Sequence, residues 1–200
     1  MEQNSAGRKD FITHIERYLG PIQRGWSKTP DGHSMGFQIA ECFGGKVDRT
    51  HIYCTIGLSD YPLPSAVSNK TIRHELMVAV PDAFDASNVI GVLHQLASIA
   101  LKRNSAFLRG EVIEGASLVF QHKPFNGFYI TMPVILPEDF NTYTFKDNLC
   151  GTCDHGMFAW LVPITKSEAG FVREKGWEKF EELLESKKAD LIDLNRPSYL

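Results

Sequence analysis

Any chemistry performed by this chain would be carried by Cys150-Gly151-Thr152-Cys153-Asp154-His155. Two thiolates separated by two residues can share one metal ion or close a small disulfide, and the neighbouring histidine adds a nitrogen donor. The set is half a site. A structural zinc takes four ligands, and the remaining cysteines, Cys42 and Cys54, fall on predicted strands, with Cys54 facing the predicted core. A thioredoxin-type pair opens a helix, where the dipole lowers a thiol pKa, whereas this pair precedes a strand. The residues therefore read as a loop holding two thiols. No catalytic residue, metal ligand or cofactor is expected; a metal- or thiol-dependent enzyme using Cys150, Cys153 and His155 is the alternative.

No other constellation is complete. The histidines at 14, 33, 51, 74, 94, 122 and 155 lack paired-ligand spacing, although His74-Glu75 begins like H-E-x-x-H. Ser59 in Gly57-Leu58-Ser59-Asp60-Tyr61 lacks the second glycine of a nucleophile elbow, so Gly57 and Ser59 are expected to shape a turn. No glycine loop has the spacing that cradles phosphate. Asp193 and Arg196 are read as a local ion pair anchoring the tail. Glu178, Glu181, Glu182 and Glu185 recur at helical spacing and form an acidic stripe. Like charges three and four residues apart each cost roughly a few tenths of a kcal/mol. A basic partner would relieve that repulsion, which makes these four glutamates the candidate partner-binding residues.

The elements that must position these residues follow from periodicity. Met157 to Ile164 is an unbroken apolar run, the pattern of a strand covered on both faces. Thr165-Lys166-Ser167-Glu168 directly after it is a capping box, so strand should turn straight into helix. Gly176 ends or kinks that helix, and Trp177, Phe180, Leu183 and Leu184 form the sheet-facing side of the next, the whole spanning about 166–188. The tail to Ser198 is apolar enough to return onto the domain.

Earlier in the chain, Phe11, Ile12, Ile15, Tyr18 and Leu19 predict a helix over 8–19, stopped by Gly20-Pro21. An irregular stretch surrounds Trp26. Strands are predicted over 37–43, 50–56, 72–80, 117–121 and 128–132, and a loop with at most a helical turn over 137–149. A helix over about 87–103, capped by Ser87, carries Val89, Leu93, Leu96, Ala97 and Ala100 as its apolar stripe. This is an α+β plan: one domain over residues 1–200, with a mixed or mostly antiparallel sheet and helices at the N-terminus, centre and C-terminus.

Composition limits the function. With 43% hydrophobic and 22% charged residues the chain is an ordinary globular protein, and its net charge of −3 argues against a general nucleic-acid binder. The first ten residues lack the apolar core of a signal peptide, and no stretch has the 18 or so apolar residues of a membrane span. The expectation is a cytoplasmic protein whose cysteines are thiols, with no nucleic-acid or membrane partner.

Two motif sets carry a resemblance. Val162-Pro163-Ile164-Thr165 with Glu168, Gly176, a Leu-Leu pair and Asp193-Leu194-Asn195-Arg196-Pro197-Ser198 is similar to the C-terminal signature of the suppressor-of-fused-like domain family. Upstream, Thr55-Ile56-Gly57-Leu58-Ser59-Asp60-Tyr61-Pro62-Leu63 and the following Glu75-Leu76 resemble that family's T-x-G-L-S-x-x-P segment and its next strand. The matches bracket residues 50 to 198. The resemblance implies a protein-binding module, not an enzyme. Stand-alone bacterial members of about this length are immunity proteins, or antitoxins, which bind and neutralise a cognate toxin, several of them nucleases. An adaptor that holds a partner by strand addition, as the eukaryotic members do, is a further alternative.

Overall fold

The computed structural model describes residues 4–29, 31–145 and 154–200; for 4–6, 117, 118, 142, 145, 154 and 155 it describes the backbone path. In chain order the elements are α1 (Asn4–Leu19), β1 (Ile22–Lys28), β2 (Ser34–Cys42), β3 (Thr50–Ile56), a 3-10 turn (Leu58–Asp60), β4 (Leu63–Pro64), β5 (Thr71–Pro81) and α2 (Val89–Arg103). Then come β6 (Val112–Glu114), α3 (Ala116–Val119), β7 (Phe125–Thr131), α4 (Glu138–Asn141), β8 (Thr142–Phe145), β9 (Asp154–Thr165), α5 (Lys166–Lys175) and α6 (Trp177–Ser186). No helix among the described residues is long and apolar enough to cross a membrane.

All nine strands join one mixed sheet in the order β1-β2-β3-β5-β9-β7-β6, with β4 paired to β5 and β8 to β9. Every pairing is antiparallel except β5 with β9. The last strand is thus an inner one, between β5 and β7, and this explains its composition. Ala159 and Leu161 join the core under α2 and α3, while Phe158, Trp160, Val162 and Ile164 join the core under α1, α5 and α6. A strand buried on both sides has no polar face to show, hence the unbroken apolar run.

The other strands alternate in the same way. Ile39, Tyr53, Leu76 and Val78 face the α2 side; Ala40, Cys42, Ile52, Cys54 and Met77 face the α1 side. A register shift between Phe125 and Gly127 lets both Phe125 and Phe128 reach the α2 side.

Several expectations are corrected. The stretch around Trp26 is the edge strand β1, unrecognised because most of its side chains are exposed and do not alternate. Residues 116–119 form the short helix α3, not a strand, and the strand beside β7 is β6. Within 137–149 the helical turn is α4, but β8 follows where loop was expected. Ser87 does not cap α2: Asn88 holds the N-cap position and makes no side-chain capping bond. Thr165 caps α5 with both bonds of the capping box present.

Candidate partner-binding surfaces

Two fully buried carboxylates account for the motif residues. Glu75 on β5 accepts from the Thr55 and Ser59 hydroxyls at 2.5 and 2.6 Å and from the backbone N–H groups of Gly57, Leu58 and Ser59 at 2.8, 3.2 and 3.1 Å. The Thr55 hydroxyl in turn accepts from the N–H of Leu76 at 2.8 Å. Gly57 supplies the φ of +94° that turns the three amides toward one point, a conformation that favours glycine. Burial pushes the Glu75 carboxyl above its usual range, against the pull of the Ser59, Thr55 and Gly57 donors. The carboxylate is thereby spent on fixing the turn after β3.

Glu168 does the same at the other end of the chain. Its carboxylate takes a two-pronged bond from Arg196 at 2.7 and 3.1 Å and accepts from the N–H groups of Thr165 and Tyr199 at 2.8 and 3.3 Å. Arg196 also donates to the carbonyls of Pro163 and Pro197 and lies 5.2 Å from the ring centroids of both Phe125 and Tyr199. Burial raises the Glu168 carboxyl, but the bonds from Arg196 and Thr165 outweigh it and hold the group below the usual range. The tail is anchored by Glu168–Arg196 and not by Asp193–Arg196: the Asp193 side chain accepts from its own neighbour, the N–H of Asn195, at 2.8 Å. Leu194 sits in the α2-side core while Leu191, Ile192 and Tyr199 pack on the α1 side, so the tail grips both layers.

The acidic stripe divides. Glu178, Glu182 and Glu185 are exposed on α6. Glu181 is turned onto the sheet, where it accepts from Tyr129 at 2.7 Å, from Thr131 at 3.0 Å and from both Arg109 donors. Burial raises its carboxyl, yet these donors hold it below the usual range. It lies next to the buried Phe180 and Leu184 on the helix wheel, which is why helical spacing alone misassigned it. Glu182 also lies 3.7 Å from Lys179, so the stripe is partly relieved from within.

A groove that the sequence did not reveal lies on the α2 side of the sheet, at the β1 end, with a volume of about 880 Å³. Its floor is a row across three paired strands: Arg24 opposite Glu41, and Glu41 opposite Tyr53. Glu41, with a side chain only 3% exposed, accepts from Arg24 Nε at 2.5 Å and from the Tyr53 hydroxyl at 3.0 Å. His51 Nδ1 lies 2.8 Å away without alignment for a hydrogen bond. Burial pulls the Glu41 carboxyl up, and the bonds from Arg24 and Tyr53 overcome it; burial and the same carboxylate push Tyr53 up to about 12. Trp26, Met35, Phe84 and Ile90 supply apolar walls, and the start of α2 forms one rim. Residues 17 and 12 positions apart gave no spacing signal; a glutamate inside the apolar run from Phe37 to Phe43 was the one available hint.

Cys150 and Cys153 lie outside the described residues, and His155 is placed in β9 opposite Thr144. Cys42 and Cys54 are fully buried, and Cys42 together with burial pushes the Cys54 thiol well above its usual range. Among the described residues no three His, Cys, Asp or Glu side chains converge as a metal site.

The two strands at the ends of the order are poor templates for a further strand. β1 is interrupted by two register shifts and carries Arg24 and Lys28, and β6 is three residues long.

Known proteins share this architecture. A homologue of suppressor of fused from Neisseria gonorrhoeae FA 1090 superposes with a TM-score of 0.73 at 21% identity, covering 98% of both chains. A chain of the Sufu-Fu complex gives 0.67 at 11% identity, covering 96% of this chain and 92% of that one. Drosophila Suppressor of Fused gives 0.66 at 12%, and the chain spans about half (51%) of its length. In sequence, 149 residues are 26% identical to immunity protein YqcF of Bacillus subtilis (strain 168), covering 73% of this chain and 72% of that protein. The model of the suppressor of fused protein (SUFU) family matches residues 31–197, which takes in both the Glu75 turn and the Glu168–Arg196 tail: the chain belongs to that family.

Proposed function

We propose that this chain is an immunity protein: it binds a cognate bacterial toxin in the cytoplasm and neutralises it by covering the toxin's working surface. The observation that carries the reading is the similarity to immunity protein YqcF over nearly three-quarters of both chains. The fold is consistent with it, because the buried ionisable groups of the two family motifs, Glu75, Glu168 and Arg196, are engaged in holding backbone. A nuclease is the toxin class favoured by charge, since a phosphate-binding domain is basic and this chain carries −3. Exposed Glu178, Glu182 and Glu185 add to the field that attracts such a partner, chiefly through the association rate.

The test is co-expression with the toxin encoded beside this gene. Growth is restored and the two proteins co-purify. Equal killing with and without this chain overturns the reading for that pair.

A further inference from the structure

The groove at the β1 end carries an inference that rests on the reading above and names what the partner must present. We infer that this groove is the docking site for an acidic segment of the protein partner, whose carboxylate is held by Arg24.

Arg24 is arranged for that task. Glu41 fixes its Nε from below at 2.5 Å, and the guanidinium carbon lies 5.5 Å from the centre of the Trp26 ring. Tyr53 stands beside the guanidinium as well, and the Arg24 side chain is 66% exposed. A guanidinium clamped at one nitrogen and stacked on an indole presents two parallel N–H donors with little conformational freedom left to lose. The partner for such a fork is a carboxylate.

The order of charges from mouth to floor supports an acidic occupant. Glu41 is at the floor, out of reach and already satisfied. An incoming group meets Arg24 and Lys28 first, together with the first turn of α2, whose backbone donors have no side-chain cap. The acid at the rim, Asp85, is engaged by the N–H of Ser87 at 3.0 Å. Trp26, Phe84 and Ile90 offer apolar contact on either side of the carboxylate, and tryptophan, tyrosine and arginine are the residues in which interface energy concentrates.

The groove lies on the opposite sheet face from α6, so substitutions separate the two surfaces. The experiment uses a five-residue peptide of alternating leucine and glutamate, with its glutamine counterpart as control, titrated into the ¹⁵N-labelled full chain. Only the acidic peptide is expected to shift the Arg24 Nε–H, the Trp26 indole and amides of β1 and residues 84–91. Arg24→Lys keeps a cation beside Glu41, so the fold is retained, but lacks the fork; binding weakens on the order of tenfold or more. Equal shifts with both peptides, shifts confined to other surfaces, no shifts, or unchanged affinity in Arg24→Lys each overturn the inference. Loss of toxin protection by the unsubstituted chain overturns the immunity reading instead and leaves the peptide result standing.

Discussion

Replacing Arg196 by methionine tests the claim that the tail is part of the fold. The Glu168 and Arg196 side chains are 0% and 1% exposed, so the substitution strands a carboxylate that water cannot reach. Breaking a buried ion pair from one side costs about 3–5 kcal/mol. Against a typical total of roughly 5–15 kcal/mol, that is a large share of the stability. In urea, with a slope near 2 kcal/mol per molar for a chain of this size, the midpoint should fall by roughly 1.5–2.5 M. Fluorescence of the fully buried Trp160 reports the transition. Pairing Arg196→Met with Glu168→Gln removes both charges, and the double variant should be less damaged than the two single losses added together. The effect should also resist salt, because the pair is out of reach of mobile ions. A single-variant loss below about 1 kcal/mol, or strict additivity in the double variant, would refute the reasoning.

Three further outcomes follow from sites elsewhere in the fold. His74 is fully buried and desolvation, with Arg103 nearby, lowers its pKa from 6.5 to about 4. The unfolded chain therefore takes up this proton first as pH falls, and stability drops between pH 6.5 and 4 by about 3 kcal/mol; a His74→Gln variant whose urea midpoint declines equally over that range contradicts this. Glu75→Gln places amide hydrogens where two oxygens accept five donors, leaving a buried donor unmet at a cost of about 1–3 kcal/mol; amide exchange at Gly57 to Ser59 should accelerate, and unchanged protection there counts against the role assigned to this carboxylate. At Gly110, φ is +92° and an added Cβ would stand 2.6 Å from Trp177 Cγ, so Gly110→Ala should cost about 2 kcal/mol and lower Tm by roughly 4–8 °C; an unaltered melting curve and near-ultraviolet spectrum speak against that packing.

What the sequence disclosed depended on whether a signal was local. The β9 run, the Thr165 capping box and the α2 stripe are each set by neighbours within a few residues, and all three stand where periodicity puts them. β1 was missed because an edge strand with exposed side chains has no reason to alternate. Residues 116–119 were misread because a four-residue segment carries too little periodicity to separate helix from strand. The motif residues Thr55, Gly57, Ser59, Glu75, Glu168 and Arg196 were legible as a resemblance, but their pairing was not: Glu168 and Arg196 are joined across 28 residues by the folding of the tail. The groove was invisible for the same reason, its row being made by strand register. Glu181 shows the complementary error, a charged residue that looks solvent-facing on a helix wheel and is claimed by a tyrosine and an arginine from elsewhere.

Placing the last strand inside the sheet, between β5 and β7, governs how the molecule is made. While the ribosome is still short of residue 154, the inner borders of β5 and β7 have nothing to close against, and both present open ladders of backbone donors and acceptors. Assembly must then join segments far apart in the chain, a slow step that leaves the nascent protein open to misassociation. A closed sheet would accordingly exist only after the final quarter of the polypeptide has been synthesised, and any lesion that truncates it there removes the keystone together with the clasp.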